Sequence, residues 1–386
     1  MRQRSIPNVQ AGNRLALLDS GRDYFPALLH AIAQATQEIF LETYLFADDA
    51  VGHRVAAALC DAARRGVVVR VVVDGFGARR FPEIFGPELT AAGVRYRIFR
   101  KEIALFTLSR HRLRRLHRKL AVVDGRIAFV GGINITDDAT PLGPQCPSLD
   151  YAVRIEGPLV AHIRQTVARM WRFRRNAPKV PPVAPAPECS DAPSFPVRSA
   201  AFLLRDNLRY RNTIAHAYLQ AIRSARQSVL IANAYFLPGF RFRRALRKAV
   251  QRGVAVTVLL QGHSDHPLLR YATQAIYEDL LADGIRVFEY RRGFLHAKVA
   301  VVDGQWATVG SSNIDPFSLF LAREANVVVK DENFAATLSE SLARALEEAE
   351  EWTRSTLHHQ PLHMRLARHL SYGLVKFLVS LAGYEQ

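Results

Sequence analysis

The chain repeats itself, and the repeat restricts its fold more than any other feature. AIAQATQEIFLETYLF at 31 to 46 returns loosely as AIRSARQSVLIANAYF at 221 to 236, and AARRGVVVRVVVDGFG at 62 to 77 returns as AVQRGVAVTVLLQGHS at 249 to 264. AAGVRYRIF and ADGIRVFEY follow. Then come LHRKLAVVDGRIAFVGGINI from 116 and LHAKVAVVDGQWATVGSSNI from 295, in the same order. Within each copy the apolar period switches between about 3.6 and about 2 residues. Each half therefore reads as a helix, a strand, a second helix with its strand, a short strand and a hairpin. Runs such as VVVRVVVDG have the apolar continuity of strands buried on both faces. The predicted fold class is α/β: two tandem pseudo-symmetric domains, each a mixed β-sheet flanked by helices, with the site at their interface, where concave sites commonly lie.

The boundaries follow from composition. NAPKVPPVAPAPECSDAPSFPVR, residues 176 to 198, is rich in proline, which has no backbone N–H to donate, and reads as an extended linker between a first domain at 1 to 175 and a second at 199 to 350. With 386 residues and 49% apolar content, each half can fill a core. Residues 351 to 386 differ in kind: Leu362, Leu366, Leu370, Leu374, Phe377, Leu378 and Leu381 recur at helical spacing, with Arg365, Arg368, His369 and Lys376 elsewhere on the wheel. Such a helix either lies in a membrane interface or packs on the protein's own core. No stretch approaches the roughly 20 apolar residues of a membrane span, and the first residues have no apolar run of signal-peptide length.

The formal charge of +17 favours polyanions such as nucleic acid or an anionic membrane. RKEIALFTLSRHRLRRLHRK, from 100, interleaves its charge with aliphatic residues more than with stacking aromatics, which suits lipid better than nucleic acid. Cys60, Cys146 and Cys189 are widely spaced and show neither a disulfide framework nor a zinc pattern.

The chemistry sits in the hairpins. On an extended strand residues i and i+2 share a face, so His117 and Lys119 point together, as do His296 and Lys298. Asp124-Gly125 and Asp303-Gly304 are strong hairpin turns. One such hairpin would be unremarkable. A joint match of His, Lys, Asp, Gly and Asn at 117, 119, 124, 131 and 134, and again at 296, 298, 303, 310 and 313, is very improbable at average residue usage.

This doubled H-x-K-x4-D pattern resembles the signature of the phospholipase D superfamily. DYAVRIEGP from 150, IANAYFLPG from 231, FEYRRGFLHAK from 288 and ATVGSSNIDPFSL from 307 bring the resemblance closer to the bacterial cardiolipin synthases, particularly the shorter kind without N-terminal membrane helices. It covers roughly residues 13 to 335. The resemblance implies a phosphatidyltransferase that moves a phosphatidyl group between phosphatidylglycerol-type lipids and releases a small alcohol. It would be peripheral on the cytoplasmic side of a bacterial cell membrane, with phospholipid substrates and an anionic membrane surface as its partners. Nucleic acid, an obligate protein partner, a metal and a cofactor are not expected.

Two histidines and two lysines suit phosphoryl transfer without a metal. One neutral imidazole attacks phosphorus to give a phosphohistidine, and the opposing imidazolium protonates the leaving group. The resemblance favours His117 as nucleophile and His296 as acid and base. Lys119, Lys298, Asn134, Asn313 and Ser311 would hold phosphate oxygens. Asp150 and Glu324 are the candidates for fixing the imidazole tautomers, while Asp124 and Asp303, the aspartates of the signature, brace the hairpins. The first copy has Gly132 where the second has Ser311, which puts a symmetric phosphate cradle in doubt. The same histidines can pass phosphorus to water, so a hydrolytic phospholipase D or a phosphodiesterase or nuclease of the superfamily is the competing enzyme. A catalytically dead lipid-binding protein is the third alternative.

Overall fold

In a computed structural model the described residues are 9 to 100, 115 to 137, 148 to 172, 197 to 206, 210 to 263, 267 to 315 and 322 to 381. The middle of the basic insert, from 101 to 114, and nearly all of the proline-rich linker lie outside them.

Each half builds the same half-sheet. From the middle of the molecule outwards, the first half runs Gln10–Asp19, Tyr151–Glu156, Ile127–Gly131, Lys119–Val123, Glu38–Thr43, Val68–Asp74 and Arg95–Phe99. The second runs Val197–Arg205, Ala322–Lys330, Trp306–Gly310, Lys298–Val302, Ser228–Asn233, Ala255–Gln261 and Arg286–Tyr290, with Ala349–Trp352 added at its edge. Glu38–Thr43, Val68–Asp74 and Arg95–Phe99 pair in parallel, and the hairpin strands pair antiparallel, so each half-sheet is mixed as expected.

The halves are joined more closely than two tandem domains on a linker. Gln10–Asp19 pairs antiparallel with Val197–Arg205, and this fuses both half-sheets into one continuous sheet. Val197 and Arg198, placed at the end of the linker by composition, already belong to this seam, opposite Arg14 and Asn13. Proline content marks where a chain resists packing but not the residue at which pairing resumes.

Alternation along the strands explains the layers. Ile39, Leu41, Val71, Val73, Ala121 and Val123 face the helices Ser20–Ala33 and Ala50–Arg64 in a core private to the first half. Their neighbours Phe40, Val72, Leu120 and Val122 face the opposite way. There they enter a core shared by both halves, under the helices Pro158–Trp171 and Glu332–Glu347, where Leu15, Ile163 and Val167 meet Phe202, Val327 and Leu342. Because both faces are covered, the strands read as continuous apolar runs.

The hairpin turns follow from Asp-Gly. Asp124 and Gly125 adopt φ of 51° and 63°, and Asp303 and Gly304 adopt 52° and 63°, the left-handed pair that a type I′ turn requires. Arg126 N–H closes the first turn onto Val123 C=O at 2.9 Å.

The C-terminal helix Leu362–Leu381 packs against the helix Pro267–Gln274. Val375 and Arg368 are buried and Tyr372 is partly buried on the packed side, with the Arg368 guanidinium over the Trp352 ring. Leu362, Leu366, Leu370, Leu374 and Phe377 are exposed. The helix thus packs on the protein through one face, as one reading expects, and leaves its leucine stripe exposed.

Candidate active site

Two short strands that cross between the halves bring the two hairpins together at the seam. Leu116 and Leu295 immediately precede His117 and His296, and each ends a short strand that pairs in parallel with the opposite half: Arg115–Leu116 with Ala322–Arg323, and Phe294–Leu295 with Ser148–Leu149. His117 N–H donates to Arg323 C=O at 3.1 Å, and His296 N–H donates to Leu149 C=O at 2.9 Å. Each histidine is therefore fastened, through its backbone, to the residue just before the other half's carboxylate.

The side chains follow the same crossing. His117 Nδ1 lies 3.0 Å from Glu324 Oε1, and His296 Nδ1 lies 2.7 Å from Asp150 Oδ2. A carboxylate at Nδ1 holds the ring proton there and leaves Nε2 free to react. Both imidazole side chains stay 18% exposed, so a substrate can reach them, whereas Glu324 and Asp150 are buried. Neither half holds the carboxylate partner of its own histidine.

Lys119 and Lys298 are buried beside the histidines. Lys119 Nζ donates to His117 C=O at 2.7 Å, and Lys298 Nζ donates to His296 C=O. Burial, reinforced by the charge of Lys298, pulls the Lys119 ammonium down to about 7. Burial first, and the Lys298 charge second, also push the His296 imidazole down to about 4. In the free protein His296 is thus neutral at pH 7, and Lys119 is poised to lose its proton. The sign of the Lys119 shift gives a prediction: its charge is complete at acid pH and lost as pH rises through about 7. Affinity for a non-reactive phosphonate analogue should therefore fall from pH 6 to pH 9. Lys119→Arg, which stays charged, should flatten that dependence, and an equally steep profile in the variant would assign the titration elsewhere.

The remaining sequence candidates fall in three places. Asn134 Oδ1 accepts from Leu45 N–H at 3.2 Å, and Asn313 is buried beside the second hairpin. Asp124 and Asp303, included with the signature's catalytic residues, lie at the far ends of their hairpin strands. Asp124 accepts from the backbone N–H groups of Thr36, Gln37 and Glu38 and from the Thr36 hydroxyl, and Asp303 from those of Arg226, Gln227 and Ser228. They tie the hairpin to the start of the neighbouring strand.

Ser311 corrects an expectation. Its hydroxyl donates to Glu324 Oε2 at 2.5 Å and accepts from Ala325 N–H at 3.1 Å, and the side chain is fully buried. It supports the carboxylate that orients His117 rather than holding phosphate. Gly132, its counterpart, consequently costs the first half no phosphate contact. A Cβ on Gly132 would lie 2.3 Å from Asp150 Oδ1, so the shorter carboxylate goes with glycine and the longer one with serine. Gly132→Ala should displace Asp150, costing about 1 to 3 kcal/mol of stability as overpacking and reducing turnover through His296. Thermal unfolding beside turnover checks this, and unchanged turnover would contradict it.

Sequence reading missed Tyr44. Its ring meets the His117 imidazole edge-on at 5.1 Å, and the Lys119 ammonium lies 5.6 Å from its centroid. The signal was a difference between copies, since Ala234 stands opposite Tyr44 when Phe46 and Phe236 are aligned on their bridges to Ile135 and Ile314. Among the described residues no group of His, Cys, Asp and Glu is arranged to hold a metal ion.

Comparisons with known proteins bear on the family and the fold. A family model described as "Cardiolipin synthase, PLD-like domain" matches residues 28 to 171 and 218 to 346, once in each half. The chain is 42% identical over 342 residues to cardiolipin synthase B of Escherichia coli K12, covering 86% of this chain and 80% of that one. It is 32% identical over 366 residues to cardiolipin synthase A of Pseudomonas putida, covering 94% and 75%. Among solved structures, phosphatidylserine synthase of Haemophilus influenzae Rd KW20 superposes with a TM-score of 0.68 at 12% identity over 97% of this chain and 98% of that one, a likeness of fold. With one matched PLD-like domain in each half and relatives of this name along most of its length, the chain belongs to the cardiolipin synthase family of PLD-like proteins.

Proposed function

We propose that the chain is a phosphatidyltransferase that joins two phosphatidylglycerol-type lipids through a phosphohistidine and releases glycerol. The observation that carries this reading is the crossed arrangement, in which Nδ1 of each imidazole is held by the other half's carboxylate with a buried lysine beside it. Family membership supports the substrate class.

In the first step His117 Nε2 attacks the donor phosphorus. The bond from phosphorus to the headgroup glycerol oxygen breaks, and His296 gives that oxygen its proton. In the second step a hydroxyl of the acceptor lipid attacks the same phosphorus, its proton returns to His296, and the P–N bond breaks. Lys119 and Lys298 stabilise the charge that develops on the non-bridging oxygens. A bound phosphodiester also offsets the lysine charge that depresses the His296 imidazole, which enables His296 to take up the proton that the first step consumes.

The exposed face of Leu362–Leu381 supports peripheral attachment to an anionic membrane. Leu362, Leu366, Leu370, Leu374 and Phe377 form one apolar stripe, bordered by the exposed Arg365, His369 and Lys376. Among the described residues no helix is long and apolar enough to cross a membrane. Burying a leucine side chain fully contributes about 1.5 to 3 kcal/mol. Leu366→Gln, Leu370→Gln and Leu374→Gln together should therefore reduce co-sedimentation with anionic vesicles at least tenfold, while turnover of a soluble phosphodiester persists. Undiminished co-sedimentation would exclude this face as the anchor.

The reaction itself is tested by incubating purified protein with labelled phosphatidylglycerol in mixed micelles. Cardiolipin and glycerol in equal amounts are expected. Phosphatidic acid without cardiolipin would mark a hydrolase.

A further inference from the structure

The C-terminal helix Leu362–Leu381 closes a cavity of about 200 Å³ against the helices Pro267–Gln274, Tyr277–Ala282 and Arg354–His358. Gln274, Glu278, Arg354, Arg365, Arg368 and His369 line it, and none of them belongs to the catalytic machinery. Three guanidiniums thus face one carboxylate, which leaves the lining positive even with His369 neutral. Arg354 and Arg365 are exposed, whereas Arg368 is only 4% exposed.

Arg368 is a buried cation without an acceptor. Its Nε is buried and has no hydrogen-bond partner among the described residues. The Trp352 ring, its centroid 5.5 Å from the guanidinium carbon, covers one face and supplies no oxygen. Glu289, a carboxylate whose charge reaches Arg368, already accepts from Gln274 Nε2 at 2.8 Å, Tyr277 O–H at 3.0 Å and the Arg291 guanidinium at 2.9 Å. A guanidinium stays charged, so burying one unpaired is costly. The space beside it is many times the roughly 10 to 15 Å³ that one water requires. A tetrahedral oxyanion fits there, and a guanidinium fork favours bidentate contact with such a group.

Position identifies the source of that oxyanion. Arg365 and His369 of the cavity immediately precede Leu366 and Leu370 of the exposed stripe. A helix lying in an interface buries such a stripe among acyl chains and carries its flanks at the level of the phosphates. We propose that the cavity binds the phosphodiester of an anionic phospholipid in the supporting bilayer, a lipid that is not transformed, an inference that rests on reading the leucine stripe as membrane-facing. Arg354 reaches this phosphate from a separate helix, and Arg365 and Arg368 from the striped one. The bound lipid therefore fastens the C-terminal helix to the second half, and the protein is held on membrane that contains lipid of its substrates' charge.

The test measures co-sedimentation of the full chain with vesicles of phosphatidylcholine, alone or mixed with phosphatidylglycerol, beside turnover of a soluble phosphodiester. Arg368→Gln should weaken binding to the mixed vesicles about 10- to 100-fold, the value of charge-assisted hydrogen bonds to one buried group. Lys376→Gln removes the same charge from the same helix outside the cavity and should weaken it only about fivefold. Arg368→Lys should recover part of the loss, and every variant should keep the parent's turnover of the soluble substrate. Arg368 also packs on Trp352, so the exposed Arg354, on another helix, supplies the independent variant: Arg354→Gln should weaken binding more than Lys376→Gln does. Equal losses in all three charge-removing variants, or no loss in Arg354→Gln and Arg368→Gln, overturn the cavity as the site. If inorganic phosphate shifts Trp352 emission in the parent while Arg354→Gln and Arg368→Gln bind mixed vesicles as the parent does, the occupant is free phosphate and the inference fails. A parent that does not sediment with the mixed vesicles overturns the membrane reading of the stripe and this inference with it.

Discussion

His117→Ala is expected to lower turnover by more than about 10⁴-fold and to abolish covalent labelling of the protein by a phosphatidyl donor, because the atom that bonds to phosphorus is gone. His296→Ala should also turn over poorly, but for a different reason. It keeps the nucleophile and loses the proton donor for the leaving group. With a donor whose leaving group is a nitrophenolate, needing no proton, His296→Ala should accumulate label slowly. The measurement is a denaturing quench at alkaline pH, since a P–N bond is labile in acid, followed by peptide mapping. Label on the His117→Ala protein would reverse the two roles.

The second large effect follows from the crossing. Glu324→Gln preserves the shape of a buried side chain that accepts from Ser311, but it removes the charge that holds the His117 ring and fixes its proton at Nδ1. Loss of such an orienting carboxylate costs about 10²- to 10⁴-fold. Asp150→Asn should cost a similar factor through His296, its partner at 2.7 Å. The nitrophenyl donor separates them: it should recover the first step in Asp150→Asn, whose defect lies in protonating the leaving group, and not in Glu324→Gln, whose defect lies in attack. Recovery of Glu324→Gln alone would mean that each carboxylate serves the histidine of its own half. Unchanged melting temperatures would confirm that neither effect is a loss of fold.

Local information made the repeat, the hairpins and the two His-x-Lys pairs legible in the sequence. Asp124 and Asp303 announce left-handed turns, and the i, i+2 geometry of a strand puts His and Lys on one face wherever that strand ends up. The crossing was not legible, because His117 and Glu324 are 207 residues apart and periodicity cannot tell which of two similar carboxylates meets which of two similar histidines. Ser311 was misread for a related reason. A hydroxyl beside a signature glycine suits a phosphate oxygen as well as a carboxylate, and only the tertiary position of Glu324 decides between them. The continuous sheet is not legible in the repeat because its joining strands, Gln10–Asp19 and Val197–Arg205, lie outside the repeated segments. The apolar stripe of the C-terminal helix was read correctly as a pattern, but that pattern marks the exposed face, while Val375, Arg368 and Tyr372 make the packing contact.

The proposed reaction makes two displacements at one phosphorus, the first by a histidine of the protein and the second by the acceptor's hydroxyl. A donor made chiral at phosphorus with sulfur and an oxygen isotope tests it most directly, read as the configuration of the phosphatidyl product formed with a simple alcohol. Each in-line displacement inverts phosphorus. Net retention is expected, and net inversion would contradict the phosphohistidine route by showing that the alcohol attacks the donor directly.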